Sequence, residues 1–197
     1  MDMLPIRRAI LSVTDKSGLD EFARFLQESG VELVSTGGTR KKLLQAGLKV
    51  RSVSDVTGFP EILGGRVKTL HPHVHAGILA SKDDPAHMQT MKDLRLAPFD
   101  LVCVNLYNFA EAVRQSLEDR QAVEQIDIGG PTMLRAAAKN FHSVAVLPAP
   151  EHYAECMREM RENGGALSLP FRKRMAGLTF ELTSGYEHMI AAYLNRS

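Results

Sequence analysis

Two stretches near the amino terminus constrain the fold more than anything else in the sequence. Each is a short apolar run, then a polar loop, then a helical repeat. Residues 8–13 (RAILSV) lead into TDKSG and then into residues 19–26, where Leu19, Phe22, Ala23 and Leu26 recur at helical spacing. Gly30 stops that helix. Residues 31–35 (VELVS) repeat the order, with Thr36–Gly37–Gly38–Thr39 as the loop and a basic helix over 40–46 ended by Gly47. A strand that enters a helix and returns to a strand is the unit of a parallel sheet with crossover helices. The expected fold is therefore α/β, a mostly parallel sheet flanked by helices.

Further along, the expected elements are a short strand over 50–53, a turn at 58–60 and a strand over 75–80 (HAGILA). A helix over 85–94 precedes DLVCVNLY at 100–107, the clearest buried strand, which ends on polar Asn105 and Tyr107. Helical segments follow near 110–117 and 121–125. Gly129–Gly130–Pro131 opens a helix through Asn140, with proline read at the first helical position. The last strand is 144–147. Helices fill 151–162 and 170–194, with Gly177 and Gly185 as points where the second could break, and 163–168 (NGGALS) reads as a loop. The 197 residues make one domain, an α/β core to about residue 150 and carboxyl-terminal helices over 151–197.

Composition excludes some functions. A net charge of +1, with no long basic run, gives no footprint for nucleic acid or an acidic membrane. No apolar run is long enough to span a bilayer. Cys103 and Cys156 stand in unlike contexts without a CxxC pair, which fits a reducing, cytoplasmic setting.

The polar stretches carry the chemistry. In a parallel sheet, Thr14–Asp15–Lys16 and Thr36–Thr39 fall in loops at the carboxyl edge, where ligands bind. TGGT opening a helix suits a phosphate, because glycines let backbone N–H groups approach an anion and the helix dipole favours it. A tight turn has the same look. Between Gly64 and Leu79 (GGRVKTLHPHVHAGIL), Arg66 and Lys68 would share one face if extended, as two cations suited to a phosphate or oxyanion. His71, His73 and His75 would line one face of a strand, a candidate metal set that Pro72 interrupts, so no metal is expected. Asp127 precedes a helix start, where a carboxylate also serves as a cap. Arg135 and Lys139 lie four apart on the helix that follows.

In this order and spacing, SVTDKSGL, TGGT, GGRVKTLHP, VHAGIL, VNLY and IDIGGPTMLRAAAKN resemble the IMP cyclohydrolase domain of the family that couples it to AICAR formyltransferase. The resemblance covers residues 8 to about 194. It implies a methylglyoxal-synthase-like fold and a hydrolase of purine biosynthesis that closes FAICAR (5-formamidoimidazole-4-carboxamide ribotide) to IMP without a cofactor. Catalytic roles carry over to Lys68, Tyr107, Asp127 and Lys139. Lys68 would stabilise charge on oxygen, and the other three would relay protons. The nucleotide site would draw on Ser12, Thr14, Asp15 and Lys16, and on Thr36, Gly37, Gly38 and Thr39. Arg66, Val67 and Thr69, then Val104 and Asn105, then Ile128 and Gly129 would complete it. A homodimer is implied, together with a separate formyltransferase as a partner, since the formyltransferase domain has no counterpart here. This sequence has Asn108 where the family has proline, and His73 is not part of the family pattern. Two alternatives share the fold: a nucleotide-binding regulatory module without chemistry, and a methylglyoxal-synthase-like lyase.

Overall fold

A computed structural model describes residues 2–107, 109, 114 and 118–195. Five parallel strands make the central sheet: β2 (Arg8–Ser12), β3 (Glu32–Ser35), β4 (Arg51–Ser52), β5 (Leu101–Val104) and β6 (Ala145–Leu147), preceded in the chain by β1 (Met3–Pro5). Their order is β4-β3-β2-β5-β6. β2 pairs with β3 on one side and β5 on the other, and Ser12 faces Val104 in register at the carboxyl ends. Every residue of β5 and β6 is buried, as the two covered faces of a parallel sheet require.

The helices follow from local signals. α1 (Leu19–Glu28) buries the spaced Leu19, Phe22, Ala23 and Leu26. α2 (Gly37–Gln45) starts three residues earlier than the basic run suggests, so TGGT forms its cap and first turn. α3 (Val53–Thr57) carries a capping box between Ser52 and Asp55. α4 (Pro72–Leu79) replaces the strand expected over 75–80. Pro72 in its first turn presets φ, and the His71 ring accepts a hydrogen bond from the His73 N–H at 3.1 Å, which caps the helix. α5 (Pro85–Asp93), α6 (Asp119–Val123), α7 (Gly129–Lys139) and α8 (Tyr153–Glu162) match the sequence pattern closely. Pro131 is the third residue of α7 rather than the first. The helix expected near 110–117 and the Asn108 substitution lie outside the described residues.

Two expectations at the carboxyl terminus change. The NGGALS stretch is not only a loop, because β7 (Ala166–Ser168) pairs antiparallel with β1 in a separate two-stranded sheet. α9 (Leu169–Leu194) runs unbroken through both glycines. Phe171, Met175, Thr179, Thr183, Tyr186 and Ile190 form one buried stripe at helical spacing, while Gly177 and Gly185 sit on the open face. Each glycine costs roughly 1 kcal/mol of helix propensity, which the packed stripe outweighs. The main core joins the sheet to α1, α7, α8 and the first turns of α9. A smaller cluster of Phe109, Tyr186 and Ile190 lies under the last turns of α9. Among the described residues no helix is long and apolar enough to cross a membrane.

Candidate functional site

The site is built at the carboxyl edge of the sheet, where β2, β3 and β5 release the chain. Asn105, just past β5, is buried and locks the loop after β2. Its Oδ1 accepts from the N–H groups of Thr14 (2.7 Å) and Asp15 (3.0 Å), and its Nδ2 donates to the Asp15 carbonyl at 2.9 Å. Lys16 Nζ turns back to the Thr14 carbonyl at 3.1 Å. The Asp15 carboxylate accepts from both the N–H and the hydroxyl of Ser17, bonds that hold its pKa below the ordinary value. The side chains of Asn105 and Asp15 thus shape the loop. Val104 is in the core and offers only backbone there.

The next loop follows the same logic. Thr39 is buried, with its hydroxyl donating to the Val13 carbonyl and accepting from the Val13 N–H, both at 2.9 Å. That pair of bonds pins the first turn of α2 to the end of β2. Thr36 sits at the cap position in an extended conformation and makes no side-chain cap bond. The first N–H groups of α2, at Gly37 and Gly38, have no intrahelical partner and present the positive end of the helix. Gly37 borders a groove of about 520 Å³ whose lining also includes Thr36, Arg40, Ser52, Ser54 and Glu61.

Lys68 lies close to Gly37 and Glu61, two residues of that lining. Its Nζ lies 3.8 Å from Glu61 Oε1 and 3.9 Å from the position a Cβ on Gly37 would take. The segment that carries it is not extended. Leu63–Gly65 forms a single 3-10 turn, Ile62 and Val67 exchange backbone hydrogen bonds, and Arg66 is helical in φ and ψ. The guanidinium of Arg66 pairs with Glu124, which follows α6, through Nε at 3.2 Å and through its NH2 group. Arg66 and Lys68 therefore do not share the face expected of an extended strand.

Asp127 is fixed just before α7. Asp127 Oδ1 accepts from the Gly130 N–H at 2.9 Å, and its backbone N–H donates to the Tyr186 hydroxyl at 2.8 Å. Burial raises the carboxyl pKa above its ordinary value; the Gly130 N–H and the charge of Lys68 oppose that only in part. The glycine pair is needed for this packing. A Cβ on Gly129 would fall 2.6 Å from Thr69 Oγ1, and one on Gly130 would fall 2.2 Å from Asp127 Oδ2. Thr69 is buried in that contact, whereas Ile128, between Asp127 and Gly129, is exposed. Tyr107 stands at the end of the β5 run, 51% exposed, and its carbonyl accepts from the Phe109 N–H.

Lys139 is the exception. It closes α7, ten residues after Gly129, and a rise of 1.5 Å per residue puts it about 15 Å along the axis from the Asp127 end. It is exposed there. The histidines do not converge either, because α4 turns His73 and His75 to different sides. The rings of His71 and His73 meet edge to face at 4.8 Å, and no cluster of three His, Cys, Asp or Glu able to hold a metal occurs among the described residues. Sequence reasoning missed Glu61, Glu124 and Tyr186. Tyr186 is 59 residues from Asp127, and no local pattern marks such a contact.

Comparison with known proteins adds to this geometry. Residues 18–132 match the model of the MGS-like domain, and residues 137–197 match that of the AICARFT/IMPCHase bienzyme. The bifunctional purine biosynthesis protein PurH of Mesorhizobium japonicum is 50% identical over 192 residues, which cover 98% of this chain and 36% of that protein. PurH of Ruminiclostridium cellulolyticum is 51% identical over 190 residues, 96% of this chain and 37% of its own length. The chain thus spans little more than a third of these relatives. A crystal structure of ForH superposes with a TM-score of 0.81 at 33% identity, covering 94% of this chain and 97% of that one.

Proposed function

This chain belongs to the MGS-like domain family, and from that premise we propose that it is an IMP cyclohydrolase, closing FAICAR to IMP with loss of water. The observation that carries the reading is the approach of Lys68 Nζ to the open amino end of α2, 3.9 Å from where a Cβ on Gly37 would sit, together with the half-buried Asp127 carboxyl fixed by the Gly130 N–H. The AICARFT/IMPCHase match over the carboxyl-terminal residues supports the choice of reaction.

The chemistry needs a proton acceptor and a fixed positive charge. The carboxamide nitrogen of FAICAR attacks the formyl carbon, its lone pair hindered by amide resonance. Asp127, with its pKa raised, is a stronger base than a solvated carboxylate and takes the nitrogen's proton. The formyl oxygen gains negative charge, and the Lys68 ammonium stabilises it. The carboxamide nitrogen gives up one proton as the N–C bond forms, the formamido nitrogen gives up the other as its C=N bond forms, and both leave on that oxygen as water, so the step balances without a redox partner. Tyr107, exposed at the mouth, is the relay for the second proton. Binding falls to the loop of Thr14–Lys16, to the N–H groups of Gly37 and Gly38, and to Arg66 once it leaves Glu124. Holding the two reacting groups together supplies roughly 7–11 kcal/mol at best.

Lys139 can share this chemistry only from a second copy, because its own helix carries it away from Asp127. A homodimer is therefore part of the proposal, as is a cytoplasmic location. The test is to incubate purified protein with FAICAR and follow IMP by absorbance. Folded protein that binds IMP at micromolar concentration but converts no FAICAR would overturn the reading in favour of a regulatory nucleotide-binding module.

A further inference from the structure

α9 is far from the sheet edge in sequence, yet its last turns touch the site at two places. The Tyr186 hydroxyl accepts the Asp127 backbone N–H at 2.8 Å, and the ring is only 5% exposed. Tyr186 packs with Phe109 and Ile190, and Leu106, Ile126, Met189 and Tyr193 close the cluster. Leu106 and Phe109 flank Tyr107, and Ile126 precedes Asp127. One small cluster thus grips both segments that carry the proposed proton-transfer groups.

We infer that Tyr186 is a positioning residue for Asp127, acting through its hydroxyl and without touching substrate. The inference rests on the reading above that Asp127 moves a proton. Its physical basis is that Asp127 is held at both ends. The first turn of α7 holds its carboxylate through the Gly130 N–H, and Tyr186 holds its backbone N–H, which lies before the helix and has no helical partner. Release of the backbone end lets the carboxylate swing toward water. The charged and titratable groups facing it are the Lys68 ammonium and the Tyr186 hydroxyl, together with the Gly129 and Gly130 N–H groups.

The experiment compares Tyr186→Phe with Ile190→Val in the full chain. The first removes one oxygen, and the second loosens the same cluster without touching Asp127. Steady-state kinetics with FAICAR, urea stability and a carbon-13 titration of the Asp127 carboxyl are measured on each. Tyr186→Phe is expected to lower kcat about 10-fold, in line with a small misplacement of a reacting group, and to leave KM within about twofold. The Asp127 carboxyl should titrate closer to its ordinary value, while Ile190→Val should change neither readout. Unchanged kcat and titration in Tyr186→Phe, or the same losses in Ile190→Val, would overturn the inference and leave Tyr186 a packing residue. Should the wild type not convert FAICAR, the proposed reaction fails alone, and the titration still decides whether Tyr186 holds Asp127. Should Tyr186→Phe not fold, amide exchange in the wild type decides. Protection of the Asp127 N–H equal to that of β5 supports the hold, and exchange at the rate of an open amide refutes it.

Discussion

The distance along α7 makes a test of how many chains build one site. In the proposed reaction Lys68 acts beside Asp127, just before that helix, and Lys139 lies about 15 Å further along it. A lysine stem of four methylenes spans less than half that distance, so one chain cannot bring both ammonium groups to the same reacting atoms. If both act, they come from different copies. Lys68→Ala and Lys139→Ala should each lower kcat by ~10²–10³-fold as homodimers, the usual loss of one charge-stabilising donor. A heterodimer of the two variants then contains one site with both lysines and one with neither. Co-expression with two affinity tags and tandem purification isolates that species. Its turnover should return to about half that of the wild-type dimer, one intact site of two. A heterodimer as slow as its parents would refute the reasoning, and so would a chain that sediments as a monomer while fully active.

Other consequences follow from the partners of each side chain. Asp127→Asn should raise the urea midpoint at pH 7 while lowering kcat by ~10²–10⁴-fold. The sign comes from its raised folded pKa: the folded state keeps the proton more tightly, so stability is lost as pH climbs from the unfolded value of 3.8 through the folded one, and asparagine escapes that loss. Lys68→Ala should keep its IMP affinity by calorimetry while kcat falls. Arg66→Ala should weaken IMP binding only a few-fold, roughly the net value of exchanging one exposed carboxylate for another anion, because the guanidinium must first leave Glu124. Arg172 is fully buried and donates to the carbonyls of Phe141 at 2.8 Å and His142 at 2.6 Å, with longer bonds to Ser168 and Asp2. Arg172→Met should cost at least about 3 kcal/mol in urea denaturation through the carbonyls left without a donor, and leave KM unchanged.

The sheet was legible because most of its strands are apolar runs with loop residues at their ends, and β5 and β6 are buried throughout as their composition demands. β1 and β7 were not legible, since three-residue strands have too few alternations to read and their pairing joins residues 3–5 to 166–168. α4 was misread because HPHVHAGIL alternates polar and apolar residues as a strand does. Proline at its first turn decided the matter, with His71 as the cap. In the site, the addresses were readable and some of the jobs were not. Polar residues after β2, β3 and β5 do gather at one edge. Whether a side chain there faces a ligand or its own backbone depends on contacts such as Asn105 to Thr14, 91 residues apart, which no spacing reveals.

That distinction divides the polar residues of the edge into two physical classes. Thr39, Asn105 and Asp15 have their hydrogen-bonding groups occupied by backbone within the protein, so their loss first acts on the shape of the loops. The N–H groups opening α2 have no helical partner, and the ion-pair partner of Lys68 among the described residues, the Glu61 carboxylate, is 3.8 Å away, longer than a hydrogen bond. These are the groups whose electrostatic potential a bound anion can satisfy at little cost to the fold. The first class makes the second possible. Thr39 fixes the end of α2 against β2, Asn105 fixes the loop beside it, and the glycines at 129 and 130 let Thr69 and Asp127 close in from the far side. A positive helix end with the Lys68 ammonium near it, and the half-buried carboxylate of Asp127, are thereby held in place by residues that need never meet the ligand. In the proposed reaction, ring closure with loss of water would draw on this preorganisation, since charge appears on one oxygen and must find its counter-charge already in place.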